Sequence, residues 1–414
     1  MIRRSGGRRN VRLSIGVAAG IALAALWLWA AWLLWRTSVP ADLRLPELDL
    51  QDYFTPRELD RAEGFERFLR ANWLVSTVAV VLALAAMAAR GSRLAARVGI
   101  GRVGTGVVLG VVTVTVVWAV TLPSALAAEW WQRRHGLSLA PYGDVFLAAW
   151  VGLIAQGLFV ALAVAVVMGL AGRLGRLWPL AAAPLSVGLG VALIVVSPYL
   201  FFEADPARTP TLLRDIRSLS HRTGVSETPV RIDEVHEETT LANALALGLG
   251  PTEKVILWDT LLDGRFPRGE IRVVLAHEFG HIGRRHLWKG AAWTALVTLP
   301  LLLVVSELTR RRGGLARPAV IPLAALVLAC LDLALAPAYN AVSRRYEAES
   351  DWVALQATRD AASARNLFRR FGRTSLGDPE PPTWSYLFSG THPTLVQRIA
   401  MAEAWKAREG PKAP

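Results

Sequence analysis

The chain has 414 residues, of which 53% are hydrophobic and only 19% are charged. Soluble globular proteins carry about 25% charged residues and about 45–50% apolar ones, so the composition excludes a disordered chain and indicates membrane-spanning segments. The formal net charge is +13, and the single cysteine, Cys330, excludes an intrachain disulfide and a cysteine-based zinc cluster.

Seven apolar stretches have about the 20 residues that a membrane-spanning helix needs. They cover roughly residues 12–35, 72–90, 104–128, 145–169, 178–201, 288–307 and 318–341. The first stretch is longer than the apolar part of a signal peptide, and no small-residue cleavage site closes it, so we expect an uncleaved anchor. The sequence therefore predicts a multi-pass protein of the cell membrane, with the lipid bilayer as its surroundings.

The basic charge is concentrated in four short segments that contain arginine and no acidic residue: 1–12, 90–103, 170–178 and 308–317. If the seven spans alternate, all four segments lie on the same side of the membrane. The positive-inside rule then predicts that they and the amino terminus are cytoplasmic. Since topology accounts for the charge, we expect no nucleic-acid partner. We also expect no nucleotide, because the GxGxxG at 99–104 follows a membrane span rather than a strand.

Longer polar pieces lie on the opposite side of the predicted membrane. In the largest of them, periodicity predicts a helix at 210–222, strands near 230–235, 241–247 and 254–258, and a helix at 270–286. A separate capping box at Thr55 predicts a helix that ends at Arg70. The chain is thus divided into 1–201 with five spans, 202–287 as a catalytic α+β region, 288–341 with spans six and seven, and 342–414 as the carboxyl-terminal part of the catalytic domain.

The predicted helix at 270–286 contains the motif HExxH at 277–281. Residues four apart share a helical face about 5–6 Å apart, so His277 and His281 can bind one zinc ion. Glu278, next to the first histidine, is placed to contact a water molecule at the metal.

A catalytic zinc site needs a third protein ligand and an open position. His286 follows His277 by nine residues, so it points away from the face that carries the pair. A better source is the segment after the last span, which contains Glu347, Glu349 and Asp351. Glu347 and Asp351 share a helical face, so one can bind zinc while the other accepts a hydrogen bond from a ligand histidine.

These motifs resemble those of the integral-membrane zinc proteases of the CAAX prenyl protease 1 type, in peptidase family M48. The resemblance rests on HEFGH at 277–281, SRRYEAESD at 343–351, THPTLVQRI at 391–399 and LANALALGLGPTEKVILWDTLL at 241–262. It implies a mainly α-helical protein: a seven-span transmembrane helix bundle with a small α+β catalytic domain of the zincin type. The implied activity is that of a zinc endopeptidase with one Zn²⁺ per chain.

For the metal, the resemblance implies ligands His277, His281 and Glu347, with Glu278 as the general base that activates water. Asp351 would then orient His277 from outside the ligand set.

For the substrate, the resemblance implies that Asn243 and Ala244 lie on an edge strand whose backbone pairs with an extended peptide. His392 would face the active site and stabilise the oxyanion, and Arg398 would brace His392. A helix cap and a structural ion pair are the alternative roles of these last two residues.

We expect the substrate to be a peptide or a membrane protein; prenylated CAAX proteins and damaged membrane proteins both fit the resemblance. The second hypothesis is a catalytically silent membrane binding or scaffold protein that keeps the protease fold, and the intact Glu278 argues against it. A transporter is a third hypothesis, for which we find no convincing internal repeat. The arginine pattern places the zinc domain outside the cytoplasm, whereas the resemblance implies a cytosol-facing site, so both sides stay open.

Overall fold

A computed structural model describes residues 5–200, 204–225 and 228–409 of the chain. In these ranges the helices are α1 (Ser5–Trp35), α2 (Pro56–Val98), α3 (Arg102–Arg134), α4 (Tyr142–Leu174), α5 (Trp178–Leu200), α6 (Pro210–Thr223), α7 (Arg268–Gly283), α8 (His286–Arg310), α9 (Ile321–Thr358), α10 (Ala361–Ser375), α11 (Thr383–Ser389) and α12 (Leu395–Glu409). The strands are β1 (Asp205–Pro206), β2 (Val230–Asp233), β3 (Ala244–Leu247) and β4 (Lys254–Trp258). The mainly α-helical class with a small sheet is confirmed. The predicted boundary between residues 201 and 202 falls outside the described residues.

Five helical segments of the described chain are long and apolar enough to cross a membrane: Pro56–Val98, Arg102–Arg134, Tyr142–Leu200, His286–Arg310 and Pro318–Thr358. The third of these contains both α4 and α5, joined by a 3-10 turn, and a shorter apolar stretch, Gly20–Trp35, lies in α1. Large side chains on these helices face outward, such as Leu23 and Leu158, which are 67% and 69% exposed. An apolar surface of this extent suits lipid rather than water, so the chain is a multi-pass membrane protein. The count of seven spans stays a prediction.

Three of the arginine-rich loops lie at one end of the helix bundle. At Gly91 in α2 an added Cβ would lie 2.2 Å from the backbone oxygen of Ala319, just before α9. At the start of α5, the Trp178 indole donates a hydrogen bond to Ser306 Oγ near the end of α8, at 3.2 Å. These contacts bring the loops within 90–103, 170–178 and 308–317 together, as the alternation of spans requires.

Two helices are longer than the sequence predicts. The capping box at Thr55 is present, with reciprocal hydrogen bonds between Thr55 and Glu58, but α2 continues beyond Arg70 through the predicted second span to Val98. No glycine or proline interrupts the junction, so the amphipathic and membrane parts form one helix. In the same way, α9 leaves the membrane region and carries the 343–351 motif on its last turns.

The four-stranded sheet has the order β1-β2-β4-β3, in which β2 and β4 are parallel and β3 is antiparallel to β4. Central β4 buries Val255, Ile256 and Leu257 completely. The predicted strand at 241–247 forms only over Ala244–Leu247, because the Leu241 carbonyl turns aside to accept a hydrogen bond from the Thr260 hydroxyl at 2.6 Å. Within the described residues β3 pairs only with β4, so it is the edge strand.

Helices α7 and α9 pack against each other beside the sheet, and their contact places the HExxH motif next to the acidic motif. Gly280 makes the close approach possible: a Cβ added there would lie 3.2 Å from the Cα of Ser350. The surrounding core includes Leu275, Phe279 and Ala354, all fully buried. Packing of the HExxH helix on the end of a membrane helix therefore fixes the site that follows.

Candidate metal and active site

The structure brings His277, His281 and Glu347 together. The two histidine Nε2 atoms lie 3.1 Å apart, and the Glu347 carboxylate lies 3.2 Å from His277 Nε2 and 3.5 Å from His281 Nε2. One nitrogen or oxygen atom from each residue falls within 4.8 Å of the others, so the three could hold one metal ion.

The chemistry of this cluster fits a cation. Glu347 Oε2 is buried and, within the described part of the chain, has no hydrogen-bond partner. The Nε2 atoms of His277 and His392 each lie 3.2 Å from it. Such an orphaned oxygen is costly unless a cation compensates it. Two nitrogens and one carboxylate oxygen are also the donor set of several catalytic zinc sites. The residues present therefore fit a zinc ion.

His277 contacts a carboxylate on the side of its ring that faces away from Glu347. Its Nδ1 lies 2.9 Å from Asp351 Oδ1, and Asp351 in turn accepts two hydrogen bonds from the Arg398 guanidinium, at 2.8 Å and 2.6 Å. Burial by itself lowers the pKa of His277, but the hydrogen bond to Asp351 and the neighbouring Glu347 carboxylate outweigh burial and raise the pKa to about 10. The pocket thus favours positive charge at the position where the two histidines meet.

Arg398 takes a different partner from the one expected. The resemblance implied that it braces His392, whereas its guanidinium forms a bidentate pair with Asp351. Both side chains are nearly buried, at 12% and 3% exposed. A planar fork that matches a carboxylate in this way is a strong and directional contact, so Arg398 holds the carboxylate that holds His277.

The expectation that His286 points away from the pair is wrong. It assumed one continuous helix over 270–286, but α7 ends at Gly283 and α8 begins at His286, with Arg285 between them at a φ of 57°. The break turns the buried His286 ring back so that its Nδ1 lies 3.1 Å from His281 Nδ1. A helical-face argument cannot cross such a break, and the left-handed residue that makes it is an arginine, which the sequence alone does not mark as a helix end.

Glu349, weighed as a possible ligand, lies in a separate contact. Its carboxylate is buried and lies 3.0 Å from His286 Nε2. We call His277, His281 and Glu347 the metal cluster. Glu347 and Glu349 are two positions apart on α9, so Glu347 faces the metal cluster and Glu349 faces His286.

Glu278 faces a cleft of about 530 Å³ that is also lined by the metal cluster and by β3 residues Ala244 and Ala246. A second cavity of about 480 Å³ meets this cleft at Asn243 and His392. The space along the edge strand is therefore open on both sides of the metal cluster, which suits an extended chain.

Asn243 and Ala244 lie at the start of the edge strand. Asn243 comes just before β3, and its side-chain oxygen accepts a hydrogen bond from the Ala244 N–H at 2.9 Å. The Trp258 N–H donates to the Asn243 carbonyl at 3.0 Å. Because hydrogen-bonded positions alternate in an antiparallel pair, the backbone groups of Ala244 and Ala246 point to the unpaired edge.

His392 also reaches the site. Its Nε2 lies 3.2 Å from Glu347 Oε2, and its side chain is 54% exposed toward the cavities. The Thr391 hydroxyl lies 3.0 Å from its other ring nitrogen. The His-Pro element therefore places a half-exposed imidazole at the mouth of the metal cluster, where it can contact a bound molecule.

Residues 206–406 match the family model described as Peptidase family M48. The matched stretch, just under half of the chain, is similar to M48 peptidases. This confirms the resemblance predicted from the motifs, since the matched stretch contains HExxH, the acidic segment on α9 and the His-Pro element. The helices before it lie outside the matched range.

Among curated proteins, the "Uncharacterized metalloprotease YhfN" of Bacillus subtilis (strain 168) is 29% identical over 220 residues, 51% of this chain and 51% of that protein. The alignment thus spans about half the length of this relative. Among solved structures, the crystal structure of S. mikatae Ste24p superposes with a TM-score of 0.71 at 16% identity, covering 92% of this chain and 96% of that one. That likeness shows the fold, including the arrangement of the membrane helices. Together these matches support a membrane metalloprotease.

Proposed function

We propose that the chain is an integral-membrane zinc endopeptidase in which His277, His281 and Glu347 hold one Zn²⁺. The observation that carries the proposal is the buried Glu347 Oε2, which lacks a hydrogen-bond partner among the described residues and lies 3.2 Å from both His277 Nε2 and His392 Nε2 at the cleft. A buried carboxylate oxygen is costly unless a cation compensates it, and a metal ion held by His277, His281 and Glu347 would do so.

A bound zinc ion would polarise the scissile carbonyl and lower the pKa of a water molecule towards about 7. Glu278 is the general base: it accepts the proton of the attacking water and gives it to the leaving amine. The position supports this role, because Glu278 adjoins a ligand in sequence and lines the cleft. A protein that only binds or scaffolds would not need a carboxylate there.

The outward backbone groups of Ala244 and Ala246 bind the substrate as an added strand. Cleavage within a chain, rather than at its end, is supported by the cavities on both sides of the metal cluster. Helix α5 contributes Ile194 to the cleft, and α8 contributes Gly290 and Thr294. Because these helices belong to the membrane segments, the cleft is suited to peptide segments of membrane proteins or membrane-anchored proteins.

His392 donates a hydrogen bond to the oxyanion that forms on the attacked carbonyl. Its partly exposed ring at the mouth of the cluster supports this assignment. A donor aimed at developing negative charge accelerates the reaction more than it strengthens substrate binding.

For orientation, we propose that the amino terminus and the arginine-rich end face the cytoplasm, which places the zinc site on the other side. The resemblance to the eukaryotic prenyl proteases implies the reverse. Reporter fusions after residue 95 and at the carboxyl end decide between the two orientations. If a reporter that works only outside the cytoplasm is active when fused after residue 95, the proposed orientation is wrong.

The activity is tested with purified protein in detergent, using casein and a quenched peptide as substrates. Wild type should cleave both, and Glu278→Gln should keep its zinc but lose about 10²–10⁴-fold of the rate, since only the proton carrier is removed. The exposed Glu63→Gln on α2 is the matched control and should cleave normally. Zinc-loaded wild type without any cleavage would favour the silent scaffold, and a fully active Glu278→Gln would refute the base assignment.

A further inference from the structure

The two histidine ligands of the proposed zinc site are supported in different ways. His277 contacts a carboxylate directly, through Asp351. His281 instead faces a second imidazole, since its Nδ1 lies 3.1 Å from His286 Nδ1. His286 then reaches a carboxylate on its far side, at 3.0 Å from Glu349 Oε2. Each histidine ligand is therefore connected to a carboxylate: His277 directly, and His281 through the ring of His286.

The protons of this chain of contacts can be assigned from chemistry alone. A neutral His281 that binds a metal through Nε2 carries its proton on Nδ1. That N–H must then find an acceptor, and the nearby atom is the Nδ1 lone pair of His286. With its lone pair on Nδ1, neutral His286 carries its own proton on Nε2 and donates it to Glu349. Each atom along the path then has one proton or one lone pair, with none in conflict.

The outer end of the path is firmly held. Glu349 Oε1 accepts a hydrogen bond from the Ser38 backbone N–H at 2.6 Å, and Oε2 accepts one from Lys289 Nζ at 3.3 Å. Arg284 lies farther from the carboxylate, at 3.9 Å. Ser38 follows α1, so the segment after the first helix fixes a carboxylate of the metal site.

The ring of His286 is also held in place. It stacks on Tyr346 with a centroid distance of 4.6 Å and an interplanar angle of 7°. The Ser350 hydroxyl oxygen packs against the same edge of the ring, 3.3 Å from His286 Nδ1. The imidazole has little freedom to rotate, because it is buried at 5% exposed.

We propose that His286 and Glu349 are positioning residues that fix the tautomer and the orientation of His281 for metal binding. The inference rests on the proposed zinc site and adds the support of its second histidine. Partners of metal ligands generally raise ligand basicity and hold the ring direction. Here a neutral imidazole transmits that effect from Glu349 to His281.

The test measures zinc affinity by chelator competition and the visible spectrum of the Co²⁺-substituted protein, both without substrate. His286→Phe keeps a ring that can stack on Tyr346 but has no acceptor for His281, so zinc affinity should fall about 10–100-fold. Glu349→Gln should cause a smaller loss, since its amide oxygen still accepts from His286. His286→Phe should shift the Co²⁺ bands, because the His281 ring loses its fixed direction. Glu349→Gln should shift them less, because a neutral amide accepts more weakly than a carboxylate.

The matched control is Glu270→Gln on α7. Glu270 is a buried glutamate, paired with Arg370 at 2.7 Å, whose side chain is as inaccessible as that of Glu349. The substitution Glu270→Gln should lower the melting temperature of the protein without changing its zinc affinity or its Co²⁺ bands. If His286→Phe does not fold, the isosteric Glu349→Gln carries the test.

Unchanged affinity and an unchanged Co²⁺ spectrum in the folded variants would overturn the positioning role. Absence of zinc binding in wild type would instead refute the proposed function, and the inference with it. Equal loss of affinity in Glu270→Gln would show a general effect of destabilisation and would also overturn the inference.

Discussion

Replacing Asp351 by asparagine separates a metal ligand from a residue that only orients one. In the structure Oδ1 of Asp351 lies 2.9 Å from His277 Nδ1, and the carboxylate accepts two further bonds from Arg398. An asparagine oxygen can still accept from His277, but its NH₂ group must face the guanidinium, which is also a donor. The substitution thus keeps the contact to the ligand and loses part of the contact to Arg398.

The expected magnitude follows from these contacts. One hydrogen bond to a charged group contributes about 1.5–3 kcal/mol, and outer partners of metal ligands change affinity about 10–100-fold when mutated. A loss of zinc affinity in that range corresponds to about 1.4–2.7 kcal/mol, comparable to the lost bond. Asp351→Ala should bind zinc more weakly than Asp351→Asn, and neither should reach the loss in Glu347→Ala.

Chelator competition with the detergent-solubilised protein measures the affinity, and thermal unfolding of the metal-free protein measures stability separately. Asp215→Asn is the matched control: Asp215 is buried and paired with Arg268 and Arg272 on α7, away from the metal cluster. It should lower stability and leave zinc affinity unchanged. If Asp351→Asn abolishes zinc binding while Glu347→Gln retains it, the two roles are reversed and the ligand assignment is wrong.

Two further substitutions test the substrate side of the site. His392→Ala should lower kcat by about 10²–10³-fold with a smaller change in KM, as expected for an oxyanion donor; steady-state kinetics that show only a raised KM would limit His392 to substrate binding. Ala246→Pro should keep the fold, since an edge strand tolerates proline where the N–H points outward, but should raise KM by removing a donor to the substrate. Ala246→Val keeps the N–H and is the control; equal kinetics of the proline variant and wild type would refute strand addition at β3.

Much of this site could be predicted from the sequence because its chemistry is local. HExxH fixes two imidazoles on one helical face, and the four-residue spacing of Glu347 and Asp351 puts two carboxylates on another. The structure brings Glu347 to the histidine pair and Asp351 to His277. A spacing argument holds wherever the helix is continuous.

The prediction failed where the chain changes direction or where the partner comes from far away in sequence. The spacing predicts that His286 points away from His281, but Arg285 interrupts the helix and the two rings are in contact. The contact of Ser38 with Glu349 spans 311 positions, and no periodicity encodes it. The same holds for Arg398, whose partner is set by the packing of α12 on α9 rather than by its neighbours.

The central claim is tested most directly by metal analysis of the purified protein. We expect about one zinc per chain in wild type and strong loss of zinc in both His281→Ala and Glu347→Ala, because each substitution removes one of the three ligands. A folded Glu347→Ala protein with full zinc occupancy would contradict the account, since another acid, Glu349 first, would then have to be the ligand.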